Sequence, residues 1–176
     1  MAKVIKSGQV VADGWQVLRL ADGDNPESVA VPPGPVLVPL AVWQARQADL
    51  AGRTELGVWL DSQEPASALA EAIDRLPVVA VNFPKFADGR GYSTATLLRT
   101  RYGFRGELRA IGDVQRDQFF FLQRCGFDCL QPAEGKYSDA QLEAALASLA
   151  DFSEPYQGAV DRPAPVWRRL QRGVAA

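Results

Sequence analysis

Hydrophobic and polar positions along this chain settle into a repeating rhythm from residue 55 onward. LGVWL (56–60) is strand-like, and PASALAEAIDRL (65–76) carries apolar residues at helical spacing. VVAVNF (78–83) predicts a second strand, and STATLLRTRYG (93–103) a second helix closed by glycine. ELRAIG (107–112) and QRDQFFFLQRCG (115–126) repeat the pair, again with a terminal glycine. FDCLQP (127–132) and SDAQLEAALASLADF (138–152) repeat it a fourth time, with Ser138 placed to cap the helix. Strand–helix alternation over short connections predicts parallel strands joined by right-handed crossovers. The predicted fold class is α/β: four consecutive βα units on a parallel sheet, either open and doubly wound or resembling half of an eightfold barrel.

The flanks follow a different pattern. VIKSGQVVADGWQVL has short Val-rich pieces broken by Ser7-Gly8 and Asp13-Gly14, which are turn dipeptides. They predict a small antiparallel β ribbon over one edge or end of the main body. VPPGP makes a rigid connector, and VLVPLAVWQARQADLAG reads as a short apolar piece entering a helix that ends at Gly52. The chain thus divides into ribbon and linker (1–35), α/β core (36–152) and a loosely attached C-terminal tail (153–176), whose Trp167-Arg168-Arg169 is a candidate docking motif although disorder is the favoured expectation.

Composition narrows the chemistry. A net charge of −2 argues against a general nucleic-acid binder, and no apolar run reaches membrane-spanning length. MAKVIKSGQVVADG has no apolar stretch or cleavage site of a signal peptide, so a cytoplasmic location is expected. Histidine is absent from all 176 residues. That excludes, within one chain, a Ser-His-Asp triad, a Cys-His pair and any His-ligated metal. Acid–base work would fall to Asp, Glu, Lys, Tyr or Cys. Two cysteines are too few for a four-thiolate zinc site or a cluster. Cys125 is expected at a helix C-terminus, where the dipole opposes a thiolate, so burial is the better reading.

Parallel βα architectures gather ligands at the carboxyl ends of their strands. Those ends carry Asp61, then Asn82, Lys85, Asp88, Arg90, Tyr92 and Ser93. Next come Asp113, Arg116, Asp117 and Gln118, and last Gln131, Glu134 and Lys136. Lys85 and Arg90 with Gly89, Gly91 and a helix N-terminus suit a small anion such as phosphate, sulfate or carboxylate. Asp113 or Asp61 would serve as base or magnesium ligand if there is catalysis. Both also suit helix caps, and Arg90 also suits pairing with Asp88. The loop lacks the G-x-G-x-x-G spacing of a dinucleotide fingerprint, so the cofactor is left open: a redox role would need a bound flavin, a partner's cofactor or the two thiols.

F-x-K-F-x-D-G-R-x-x-S runs from Phe83 to Ser93. G-E-L-R-A-x-G-D-V follows at Gly106 to Val114, then Asp117-Gln118 and R-C-G-F-D from Arg124 to Asp128. In these pieces, their order and their spacing, residues 36–132 resemble the DUF934 family of uncharacterised bacterial proteins. Members are commonly encoded beside assimilatory sulfite reductase and are often labelled oxidoreductases. The resemblance implies a role in sulfite reduction; joined to the strand-end charges, the expected function is an accessory protein, or an oxidoreductase component, that holds a small anionic or phosphorylated ligand at the carboxyl edge. The alternative is a non-catalytic subunit docking on sulfite reductase or its electron donor. Phe119, Phe120 and Phe121 cannot all face one way on a helix and would supply part of that interface. Exposed strand edges also leave a homodimer open.

Overall fold

The computed structural model describes residues 2–151 and 154–169. The last residue of the helix expected over 138–152, and the tail positions 153 and 170–176, lie outside the described residues. Among those described, eight strands form one mixed sheet. They are β1 (Ala2–Lys6), β2 (Gln9–Asp13), β3 (Gln16–Val17), β4 (Val36–Pro39), β5 (Leu56–Leu60), β6 (Val78–Phe83), β7 (Glu107–Gly112) and β8 (Cys129–Pro132). Their order is β2-β1-β8-β7-β6-β5-β4-β3. Strands β3 to β8 are parallel and follow chain order, whereas β1 is antiparallel to both β2 and β8.

The expectation of four βα units is therefore corrected. Six strands run parallel, because VLVP is itself a strand feeding α1 (Leu40–Leu50) and Gln16–Val17 adds a short edge. The helix expected over 65–76 is replaced by 3₁₀ turns at Ala66–Leu69 and Ile73–Arg75. Pro65 and Pro77 bracket this segment, and Pro77 drives Leu76 into an extended conformation before a second α turn can close. The remaining helices are α2 (Arg90–Thr100), α3 (Arg116–Arg124), α4 (Asp139–Ala147) and α5 (Val166–Arg169).

Parallel strands laid in chain order put their connections on one face. Val79, Val81, Phe83, Leu108 and Ala110 point to that face and pack with Leu98, Phe119, Leu122 and Leu142. The alternate residues Leu37, Trp59, Val78, Ala80 and Ile111 form a second apolar layer with Trp15 and Val17. The sheet that separates the two layers is strongly curled. Its edge strands β2 and β3 are joined by Gly14 and Trp15 alone. Three Cα steps reach at most about 11 Å, while eight flat strands would hold their outer edges about 34 Å apart. The edges are consequently drawn together, and the sheet forms a half-barrel with Trp15 and Val17 lying against its concave side.

Residues 154–169 dock on the end of α3. Arg124 donates to the Gln157 carbonyl at 2.5 Å, its own carbonyl accepts from Val160 N–H, and Tyr156 packs on Trp167. Cys125 and Cys129 are buried free thiols; burial raises both, Cys129 to about 12.

Candidate functional site at the carboxyl edge

The loop after β6 is held by two carboxylates. Asp88 accepts from Arg90 through its backbone N–H at 3.2 Å, Nε at 2.9 Å and Nη2 at 2.6 Å. The Asp88 side chain thus stabilises the first turn of α2, which begins at Arg90 and not at Ser93 as the sequence suggests. The Arg90 guanidinium holds the Asp88 carboxyl far below the usual carboxylate range. Arg90 also donates to Ser62 Oγ at 2.9 Å, which ties this loop to the one after β5.

Asp113 follows Gly112, whose φ of +97° and close approach to Phe83 O exclude a side chain. That turn lets Asp113 N–H donate to Phe83 O at 2.7 Å. The Asp113 carboxylate accepts from Lys136, from Phe86 N–H at 2.9 Å and from Gln115 at 3.5 Å. Lys136, followed by the Phe86 N–H, holds its carboxyl below the ordinary value. Asp61 accepts from the Asn82 amide at 2.9 Å, and Asn82 Oδ1 in turn accepts from Arg19 at 3.1 Å.

The predicted residues thus fall into separate groups. Asp61, Asp88, Arg90, Asp113 and the exposed Lys85 share the rim after β5, β6 and β7. Ser93 is exposed within the first turns of α2. Tyr92 is a packing residue, with Phe83 and Phe121 at ring separations of 5.3 Å and 4.9 Å; its hydroxyl bonds Gln118, and burial raises it. Gln118 is buried, accepting from Gln115 N–H and donating to Phe86 O. Arg116 and Asp117 line a different cavity of about 350 Å³, together with Phe120 and Tyr137. Among the described residues no three His, Cys, Asp or Glu side chains cluster as a metal site.

Sequence reasoning missed the wall contributed by the N-terminal segment. A cavity of about 410 Å³ opens at the carboxyl edge between Trp15, Val17 and Arg19 on one side and Ile111, Gln131 and Glu134 on the other. Arg19 lies over the Trp59 ring at 5.3 Å. Beneath the cavity Arg109 is fully buried. It forks onto Asp13 at 2.6 and 3.1 Å and contacts Glu107 at 2.6 Å and Gln131 at 2.9 Å. Lys6 reaches the other Glu107 oxygen at 2.5 Å. Burial alone would depress Arg109, but the hydrogen bond to Asp13 and the nearby acids keep it above its usual value. The signal was present as charged Glu107 and Arg109 on one face of a strand otherwise apolar.

A family model described as a bacterial protein of unknown function, DUF934, matches residues 57–167. The chain belongs to the DUF934 family. No curated protein matches it. The DUF934 match runs from β5 into α5 and takes in the rim carboxylates, Arg109 and the Gln131 wall. Trp15, Arg19 and Asp13 lie outside the matched segment, so one wall of the cavity comes from beyond it. Among the described residues no helix is long and apolar enough to cross a membrane.

Proposed function

We propose that this DUF934 chain is a cytoplasmic accessory protein of assimilatory sulfite reduction that holds a small anionic or phosphorylated ligand in the carboxyl-edge cavity. The state of Arg19 carries this reading. Its guanidinium is oriented by Asn82 and Trp59, and among the described residues it has no carboxylate partner. Two other rim cations differ, since Arg90 is engaged by Asp88 and Lys136 by Asp113, while Lys85 stands exposed on its loop with no side chain orienting it among the described residues. An oriented guanidinium with free donors is suited to an oxyanion. The sulfite assignment rests on the family resemblance. Asp61 and Asp113 act here by positioning, Asp61 through Asn82 and Asp113 by joining two loops.

A thermal-shift series with sulfate, phosphate and sulfite tests the reading. At ligand well above Kd, binding to the folded state raises Tm by several degrees. Arg19→Gln should abolish that rise and impair complementation of sulfite-dependent growth, with Tm in buffer unchanged. Absence of a shift with every oxyanion would refute the proposal.

A second reading, a docking subunit for sulfite reductase or its electron donor, draws support from Phe86 and Phe121. They are 44% and 49% exposed, one packed against Tyr92 and the other bonded through its carbonyl to Gln118. Phe86→Ser with Phe121→Ser should then abolish co-elution with the reductase and leave oxyanion binding intact.

A further inference from the structure

We infer that the ligand of this cavity carries a flat, unsaturated ring beside its anionic group, as a nucleoside monophosphate does. This rests on the anion-binding reading above and specifies the rest of the molecule.

Trp15 lines the cavity and is half-buried. Behind it stands the Arg109 guanidinium, 5.8 Å from the ring centroid and fixed by Asp13, Glu107 and Gln131. A ring backed by an immobile group is a preformed stacking surface, since little freedom remains to be lost when a second ring is laid on it.

Gln131 provides a donor of defined direction. Its Oε1 accepts from Arg109 Nη1 at 2.9 Å, and a guanidinium offers donors only, so the amide cannot be reversed. Its Nε2 has no partner among the described residues and is not a buried unpaired atom. It is therefore free to donate to a ring nitrogen or carbonyl in the cavity that Gln131 lines.

The remaining lining separates charge from apolar surface. Arg19 and Glu134 belong to opposite walls, and Trp15 and Val17 on one wall with Ile111 on the other supply apolar lining. Bare sulfate or phosphate would engage Arg19 and leave that apolar surface uncovered. A ligand with an oxyanion at Arg19, a ring on Trp15 and hydroxyl or amino groups toward Glu134 fills the site, whose 410 Å³ is of small-molecule size.

Calorimetric titration of the full chain with adenosine 5′-monophosphate, ribose 5-phosphate, adenosine and inorganic phosphate tests this. Adenosine monophosphate should bind about tenfold or more tighter than ribose 5-phosphate, the range of one base–aromatic stack. Trp15→Leu should bring the two within about twofold, while Arg19→Gln should bring adenosine monophosphate down to adenosine. Equal affinity of wild-type protein for adenosine monophosphate and ribose 5-phosphate would overturn the ring and leave the anion reading standing. Failure of every phosphate to bind would overturn both. The wild-type ligand series decides the matter even if Trp15→Leu does not fold.

Discussion

On the outer side of the curled sheet, Leu98, Phe119 and Leu122 meet Val79, Val81 and Leu108 in an apolar layer. On the inner side, Arg109 and Lys6 sit among Asp13 and Glu107, two cations against two carboxylates, below an open cavity. The outer layer derives its stability from area removed from water and from close packing. The inner group gains far less, because desolvating Arg109, Asp13 and Glu107 offsets most of their attraction, and Lys6 meets Glu107 from the solvent side. Its contribution is geometric: it fixes Gln131, backs Trp15 and joins β2 to β7 across the concavity. One face holds the fold together, and the other gives it a shaped interior.

The largest expected effect comes from breaking the inner group. Arg109→Ala leaves Asp13 buried without its partner and should cost about 4 kcal/mol in urea unfolding. Arg109→Met with Asp13→Leu removes both charges and should recover at least half of that loss. If the double variant is no better than the single, the inner face works by packing alone. Next in size, Leu98→Ala in the outer layer should cost about 3 kcal/mol, a transfer and cavity cost that no second substitution of charge relieves.

Acid distinguishes the faces more finely. Burial alone would raise Glu107, but Arg109 and Lys6 override it and hold the carboxyl below its ordinary 4.5. The unfolded chain therefore binds this proton more readily than the folded one. The stabilisation is complete above the ordinary value and is lost as pH falls through the lower folded value. Unfolding free energies from pH 6 down to about 3 should fall less steeply in Glu107→Gln; parallel curves would contradict the assignment. The smallest effect is expected where the same chemistry sits in water. Lys3 pairs with Asp139 at 2.6 Å with both side chains more than a third exposed, and Lys3→Ala should alter stability by no more than about 0.5 kcal/mol.

The outer face was the legible one. Strands 56–60, 78–83 and 107–112 match β5, β6 and β7 residue for residue, because apolar runs bounded by turns specify buried parallel strands. Two local features escaped that pattern. Apolar spacing over 65–76 suits a helix, yet flanking prolines and short length yield 3₁₀ turns that still bury Leu69, Ile73 and Leu76. The early start of α2 follows from an Asp88 hydrogen bond to Arg90 N–H, a contact periodicity does not encode.

The candidate site was only half legible. Reading the strand ends located Asp61, Asp88, Arg90 and Asp113 on one rim, as parallel strands require. Arg116, Asp117 and Gln118 belong to the same stretch of chain, but α3 turns the first two toward another cavity and buries the third. Trp15 and Arg19 were missed because their place depends on sheet curvature. Nothing near Gly14 and Trp15 in sequence announces that this pair joins opposite edges of an eight-stranded sheet.

That join has a consequence for synthesis on the ribosome. Asp13 is made 96 residues before its partner Arg109, and the Leu130 that pairs with Ile5 is later still. The first hairpin must therefore wait with an unpaired edge while the rest of the sheet emerges, and it is seated only after β7 and β8 have been made. The segment that completes the cavity thus governs when the newborn chain ceases to be exposed to wrong pairings.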